Sequence, residues 1–210
     1  MDINSKTNFN NETSYFWGKP DISVKFCEKK YDTVFWIAEF YNTISAFIYI
    51  LIGYFYYSKK LKTIAKITFF MGISTMIMHG TLRYYGQIMD ETSLIILLYE
   101  NFKRCYKIKT YIYLYPCIAV YLLFNEYYFV FLSIFMTFKI SIIYYLFVLK
   151  RFKSHKERVF LFAYIFYMTI AFLCWLKDQL LCDKDSSIEY HALWHYFSGF
   201  AIFFGFLTYI

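Results

Sequence analysis

Apolar residues fall into seven blocks separated by short polar loops: 37–57, 64–84, 89–105, 109–125, 127–149, 157–177 and 190–210. A bilayer's hydrocarbon is about 30 Å thick and a helix rises about 1.5 Å per residue, so about 20 apolar residues make one span. The third and fourth blocks are short and carry polar residues, which leaves their boundaries soft. Only two prolines and seven glycines interrupt the apolar stretches, which suits long helices better than the many turns of a β-barrel. No repeat of 20–50 residues recurs, and no segment is of low complexity beyond an Asn-rich start. The pattern predicts an all-α polytopic membrane protein: a seven-transmembrane helical bundle over 37–210, preceded by a polar N-terminal tail over 1–36. The tail has no leading apolar stretch of the kind a cleaved signal peptide carries. The loops leave no room for a separate soluble domain.

Composition strengthens this reading. The 210 residues are 60% hydrophobic and 18% charged, with a mean hydropathy of +0.39, against about 45–50% and about 25% in a soluble domain. A soluble enzyme, a disordered chain, a collagen and a small disulfide-stapled secreted domain are excluded. Charge then orients the bundle. The loops after the first, third and fifth blocks hold thirteen Lys and Arg residues, among them Lys59, Lys103, Arg104, Arg151 and Arg158. The loops after the second, fourth and sixth hold Arg83, Lys177 and Lys184, and the tail adds five more, so the opposite side has eight. Basic loops stay cytosolic. The tail is therefore expected in the lumen or outside, and the C-terminus in the cytosol. The net charge of +7 is explained by cytosolic loops facing anionic lipid and calls for no nucleic acid. The aromatic load needs no cofactor either, because Tyr and Phe suit lipid-facing and interfacial positions.

This orientation sorts the cysteines. Cys105 lies at a cytosolic boundary, and Cys117 and Cys174 lie within spans as packing residues. Cys27 and Cys182 alone face the oxidising side, where they form a disulfide or remain two thiols. Asn11-Glu12-Thr13 is a glycosylation sequon on the permitted side.

Ionisable groups inside a membrane are costly and signal function. His155 sits in a basic loop, but His79 closes the second block, and His191 and His195 open the seventh, all toward the non-cytosolic side. His191 and His195 are four apart and share a helix face, which lets both bind one ion. Gly86 offers a turn that would fold the third block back on the second and bring Asp90 to His79. Three histidines with an open fourth position describe a catalytic zinc site, and a neighbouring carboxylate can serve as general base for water. Thr75, four residues before His79, shares its face and can donate to an oxyanion; Ser74 points about 140° away. Either hydroxyl could instead bond back to its own helix. Glu100 and Lys139 could pair across the bundle, or Glu100 with Lys103 and Arg104 could mark a helix end. Asp178 could accept the free N–H of a metal-bound histidine or belong to a helix terminus.

Several segments together are similar to the alkaline ceramidases: Phe16-Trp17-Gly18, Cys27-Glu28, Ile37 through Thr43, His79 with Asp90-Glu91, the set Trp175, Asp178 and Cys182, and His191-Ala192-Leu193-Trp194-His195. The resemblance covers about residues 15–199. It implies a seven-helix fold, zinc on His79, His191 and His195, activation of water by Asp90, and hydrolysis of the ceramide amide. It also implies a Cys27–Cys182 disulfide and a membrane of the endoplasmic reticulum or Golgi. No obligate protein partner is implied; the partners are the ceramide substrate and membrane lipids. Two departures stand out. Thr75 replaces the family's serine, which predicts reduced or reshaped activity. The family's calcium site keeps Glu28 and Glu39, but lysines occupy two flanking positions, Lys25 and Lys30. Calcium takes six to eight oxygens, so one or both ammonium groups are expected in its place. Receptors of the progestin and adiponectin type, and hydrolases that remodel acyl esters of glycosyl-phosphatidylinositol, are the alternative readings. The receptors place their tail in the cytosol, and the Cys27-Glu28 and Glu39 signature favours the ceramidases.

Overall fold

A computed structural model describes residues 15–57, 61–149, 154–182 and 188–209, all helix and connecting loop with no strand among them. The sequon Asn11-Glu12-Thr13 and the loop basics Lys59, Arg151 and Lys184 lie outside the described residues. The helices are α1 (Phe40–Ser45), α2 (Phe47–Tyr57), α3 (Lys62–Thr81), α4 (Tyr84–Tyr106), α5 (Leu114–Leu123), α6 (Tyr128–Tyr144), α7 (His155–Leu180) and α8 (Tyr190–Leu207); a π-helical turn, Tyr145–Leu149, continues α6. Each apolar block therefore contains helix, with shifted ends.

Two helical stretches, Tyr128–Leu149 and His155–Leu180, are long and apolar enough to cross a membrane by length and composition. Both leave large apolar side chains exposed, including Phe129, Ile140, Phe147, Phe162, Phe166 and Leu173. An exposed apolar surface of that extent belongs against lipid or protein rather than water. Of the other helices, α1, α2 and α5 are too short for the same test, and α3, α4 and α8 carry too many polar residues. Asp90, Glu91 and Glu100 of α4 are all buried, as are Thr68, Ser74, Thr75 and His79 of α3.

The first block is two helices rather than one. The Asn42 carbonyl accepts from the Ala46 amide at 3.3 Å, from Ser45 Oγ at 3.0 Å and from His195 Nδ1 at 3.1 Å. Side-chain donors inserted into a helical ladder break its regular run, and Tyr49 N accordingly bonds back only three residues, to Ala46 O. At the start of α7, Ser154 accepts from the Glu157 amide, a conventional N-cap.

Gly86 does not form the turn between α3 and α4. Leu82, in the left-handed region at φ 53°, ends α3, and α4 begins two residues later. Gly86 lies inside α4, where a Cβ would come within 2.8 Å of Met78 Cα. Its missing side chain lets α4 press against α3, and that contact sets Asp90 beside Thr75. Elsewhere α2 packs on α3, α6 on α4 and α7 on α8, whereas α6 and α7 make little direct contact.

Residues 15–39 fold across one end of this bundle. Arg83 pairs with Asp21 at 2.8 Å, Ser23 N donates to Gln87 Oε1 at 2.8 Å, and Cys27 N donates to Asp178 Oδ1 at 3.2 Å. A Cys27–Cys182 disulfide, with its Cα atoms 5.4 Å apart, ties the segment to the end of α7. Cys105, Cys117 and Cys174 form no disulfide.

Candidate metal centre and active site

α3 delivers His79 from its last turn, and α8 delivers His191 and His195 from its first two turns. The three imidazoles are buried, and one ligand atom from each lies within 4.8 Å of the others. Three buried rings held this close are a donor set for a metal ion.

The partners of these rings carry the same message. Glu39 Oε2 accepts from His79 Nδ1 at 2.6 Å. His195 Nδ1 lies 2.8 Å from Ser45 Oγ and donates to the Asn42 carbonyl. With Nδ1 of both rings engaged by oxygen, Nε2 is the nitrogen left to bind a metal. His191 Nδ1 lies 3.7 Å from Asp178 Oδ2 and is buried without a hydrogen-bond partner. An orphaned buried polar atom, three converging imidazoles and a carboxylate or carbonyl behind each ring together fit a zinc-type ion.

Asp90 lines the same cavity as the histidines. Thr75 Oγ1 donates to Asp90 Oδ1 and lies 2.8 Å from the Met71 carbonyl. Ser74 faces elsewhere, bonding to Met71 O and Ser93 Oγ. The cavity, about 150 Å³ and mainly apolar, extends from the histidines along α8 to Tyr209, between α4, α6 and α7.

The carboxylates of Glu28 and Glu39 already have partners from within the chain. Lys30 Nζ bonds Glu39 Oε1 and the Phe26 carbonyl, the latter at 3.0 Å. Both oxygens of Glu28 are occupied by backbone amides, Tyr41 N at 2.8 Å and Asn42 N at 2.9 Å. Lys25 is exposed, so of the two lysines only Lys30 reaches the acids. Burial pushes the Glu28 carboxyl up to about 7, against the pull of the Asn42 and Tyr41 amides.

The ceramidase family model matches residues 18–210. The chain belongs to the ceramidase family. Among curated relatives, it is 28% identical to the alkaline ceramidase of Arabidopsis thaliana, over 89% of this chain and 82% of that one. It is 23% identical to alkaline ceramidase 1 of Mus musculus, over 88% of this chain and 78% of that one.

Three contributors to this site had no signal in the sequence. Phe26 lays its ring against His79 at 4.6 Å and His191 at 4.3 Å, closing the site from the tail. Ser45 and the Asn42 carbonyl hold His195 from 150 or more positions away. Glu39 was legible as an acid, but its bond to His79 was not. The open question of Glu100 is answered by Lys103 Nζ at 2.8 Å and the Tyr111 hydroxyl at 2.7 Å; Lys139 takes no part and faces the cavity.

Proposed function

We propose that this chain hydrolyses the amide bond of ceramides to a sphingoid base and a free fatty acid, using a zinc ion held by His79, His191 and His195. The carrying observation is the buried triad of imidazoles, each backed by an oxygen, at one end of an apolar cavity in a ceramidase-family chain. Zinc bound there would polarise the amide carbonyl and make a neighbouring water more acidic.

The chain's own residues supply the rest. Asp90 accepts the proton of the attacking water and returns it to the leaving amine. As Asp90 takes up the proton it loosens its hold on the Thr75 hydroxyl, whose hydrogen becomes available to the oxygen where negative charge develops. Glu39, the Asn42 carbonyl with Ser45, and Asp178 keep the rings oriented. Phe26 limits water, and the cavity walls of α4, α6 and α8 hold the alkyl chains. Lys30 takes the role a divalent cation would have beside Glu39, so activity is independent of calcium.

The protein crosses the membrane of the endoplasmic reticulum or Golgi seven times, with residues 1–36 and the metal centre on the lumenal side. Substrate enters laterally, between α6 and α7. The test is purified full chain incubated with ceramide, with products read by mass spectrometry. Release of sphingoid base and fatty acid by the unaltered chain, and none by His191→Ala, is the expected result. Intact ceramide with the metal-loaded chain would overturn the reading.

A further inference from the structure

Among the described residues, two acidic or basic side chains that the hydrolytic machinery does not use line the cavity: Glu91, which accepts from Gln87 Nε2 at 2.9 Å, and Lys139. Lys139, on α6, is partly buried. Its ammonium lies 3.4 Å from the Tyr164 hydroxyl of α7 and approaches two ring centroids, Phe135 at 5.9 Å and Tyr164 at 5.6 Å. Among the described residues no carboxylate is within ion-pair reach of it. Met136 and Ile142 flank it along α6, and Met168 lies one turn beyond Tyr164 on α7, all facing the same cavity. A cation surrounded by apolar walls, with one weak hydroxyl acceptor, is an incomplete pair.

Its depth is fixed by its neighbours. The Tyr164 ring packs against Gly205 of α8, where a Cβ would meet it at 3.1 Å. Gly205 is ten residues beyond His195 on α8, about 15 Å at the rise of a helix. Apolar side chains, among them Leu94, Leu98 and Ile202, fill the wall between these two levels. The space between histidines and ammonium is shaped for an alkyl chain, with a charge-bearing group at its far end.

We infer that Lys139 and Tyr164 form a second binding site in this cavity, for the anionic head of an amphiphile whose alkyl chain occupies the space toward the histidines. A fatty carboxylate and a single-chain lipid phosphate share this chemistry, one negative head on one apolar tail. Tyr164 donates its hydroxyl hydrogen to the same anion once the ammonium has turned toward it. A chain bound in this sense occupies the room the substrate's acyl group needs. Under the hydrolase reading above, on which only this consequence rests, the ligand is a competitive inhibitor that raises the apparent KM and leaves kcat unchanged.

The test reads binding directly and does not require turnover. Trp175 and Trp194 line the cavity, so a brominated long-chain fatty acid seated there quenches their fluorescence in the purified full chain. The matched brominated fatty alcohol, equal in tail but uncharged, is the control. The unaltered chain is expected to bind the acid about tenfold more tightly than the alcohol, the scale of one charge-assisted hydrogen bond. Lys139→Met removes that preference while leaving alcohol binding unchanged, and Lys139→Arg retains it. Displacement of the brominated acid by unlabelled fatty acid or by a lysophosphatidic acid then tells the sources apart, the tighter competitor naming the natural head group. Equal affinity for acid and alcohol in the unaltered chain, or a preference that survives in Lys139→Met, would overturn the inference.

Discussion

Replacing Lys30 with Met tests how the metal centre is held. Glu39 is fully buried, and each of its oxygens has its own partners. Oε1 meets the Lys30 ammonium, and Oε2 accepts from His79 Nδ1 at 2.6 Å and Asn42 Nδ2 at 3.0 Å. Removing one partner of a buried ion pair costs about 3–5 kcal/mol, because the other charge stays behind. The Lys30 side chain is 30% exposed, so water screens part of this pair and about 2–3 kcal/mol is expected. At about 2–4 °C per kcal/mol for a chain of this size, the melting temperature in detergent falls by about 4–12 °C. Glu39→Gln removes the charge that Lys30 balances, so Lys30→Met combined with Glu39→Gln should lose clearly less than the two single losses added together. The unaltered chain should also keep its activity in a calcium-specific chelator. Additive losses, or a Lys30→Met protein as stable as its parent, would refute the argument, and activity that stops on calcium chelation would refute its functional half.

Other consequences are independent of that one. Asp90→Asn should bind metal as before and hydrolyse ceramide about 10²–10⁴-fold more slowly, the range for a lost general base; turnover within a few-fold of the unaltered rate removes Asp90 from that role. Thr75→Ser keeps the hydroxyl and should remain active, whereas Thr75→Ala should reduce kcat more than it raises KM. Glu28 has its carboxyl raised from 4.5 to about 7, so the folded state holds that proton more tightly than the unfolded chain. Its contribution to stability is present below about pH 4.5 and is lost as pH rises toward 7. The shift corresponds to about 3 kcal/mol at most, and the stability difference between Glu28→Gln and the parent should widen in favour of Gln over this window. A difference that is flat with pH contradicts the assignment to Glu28.

The sequence exposed those features that depend on local spacing. Apolar blocks marked the helices, and His191 and His195, four apart, announced a shared face. Thr75 was distinguishable from Ser74 by helical angle alone: both bond back to the Met71 carbonyl, but Thr75 reaches Asp90 and Ser74 reaches Ser93. What stayed hidden depends on the chain returning from far away. Phe26 reaches the histidines only because residues 15–39 lie across the bundle, and no periodicity encodes that path. Ser45 and Asn42 meet His195 across about 150 positions, and the same convergence of donors splits α1 from α2. Gly86 suggests a turn that folds one block back on another, yet its lack of a side chain serves close packing against Met78. For Glu100, sequence offered two partners of equal merit, and the geometry of one helix end, with Tyr111 folded back onto it, selected Lys103.

The most direct test of the account is the metal content of the purified full chain and of its single-histidine variants. One zinc per chain is predicted for the parent and for Asp90→Asn, with the ion lost from His79→Ala, His191→Ala and His195→Ala alike. Zinc that persists in any of these three variants at the parental stoichiometry, or a folded and active parent without the metal, would contradict it.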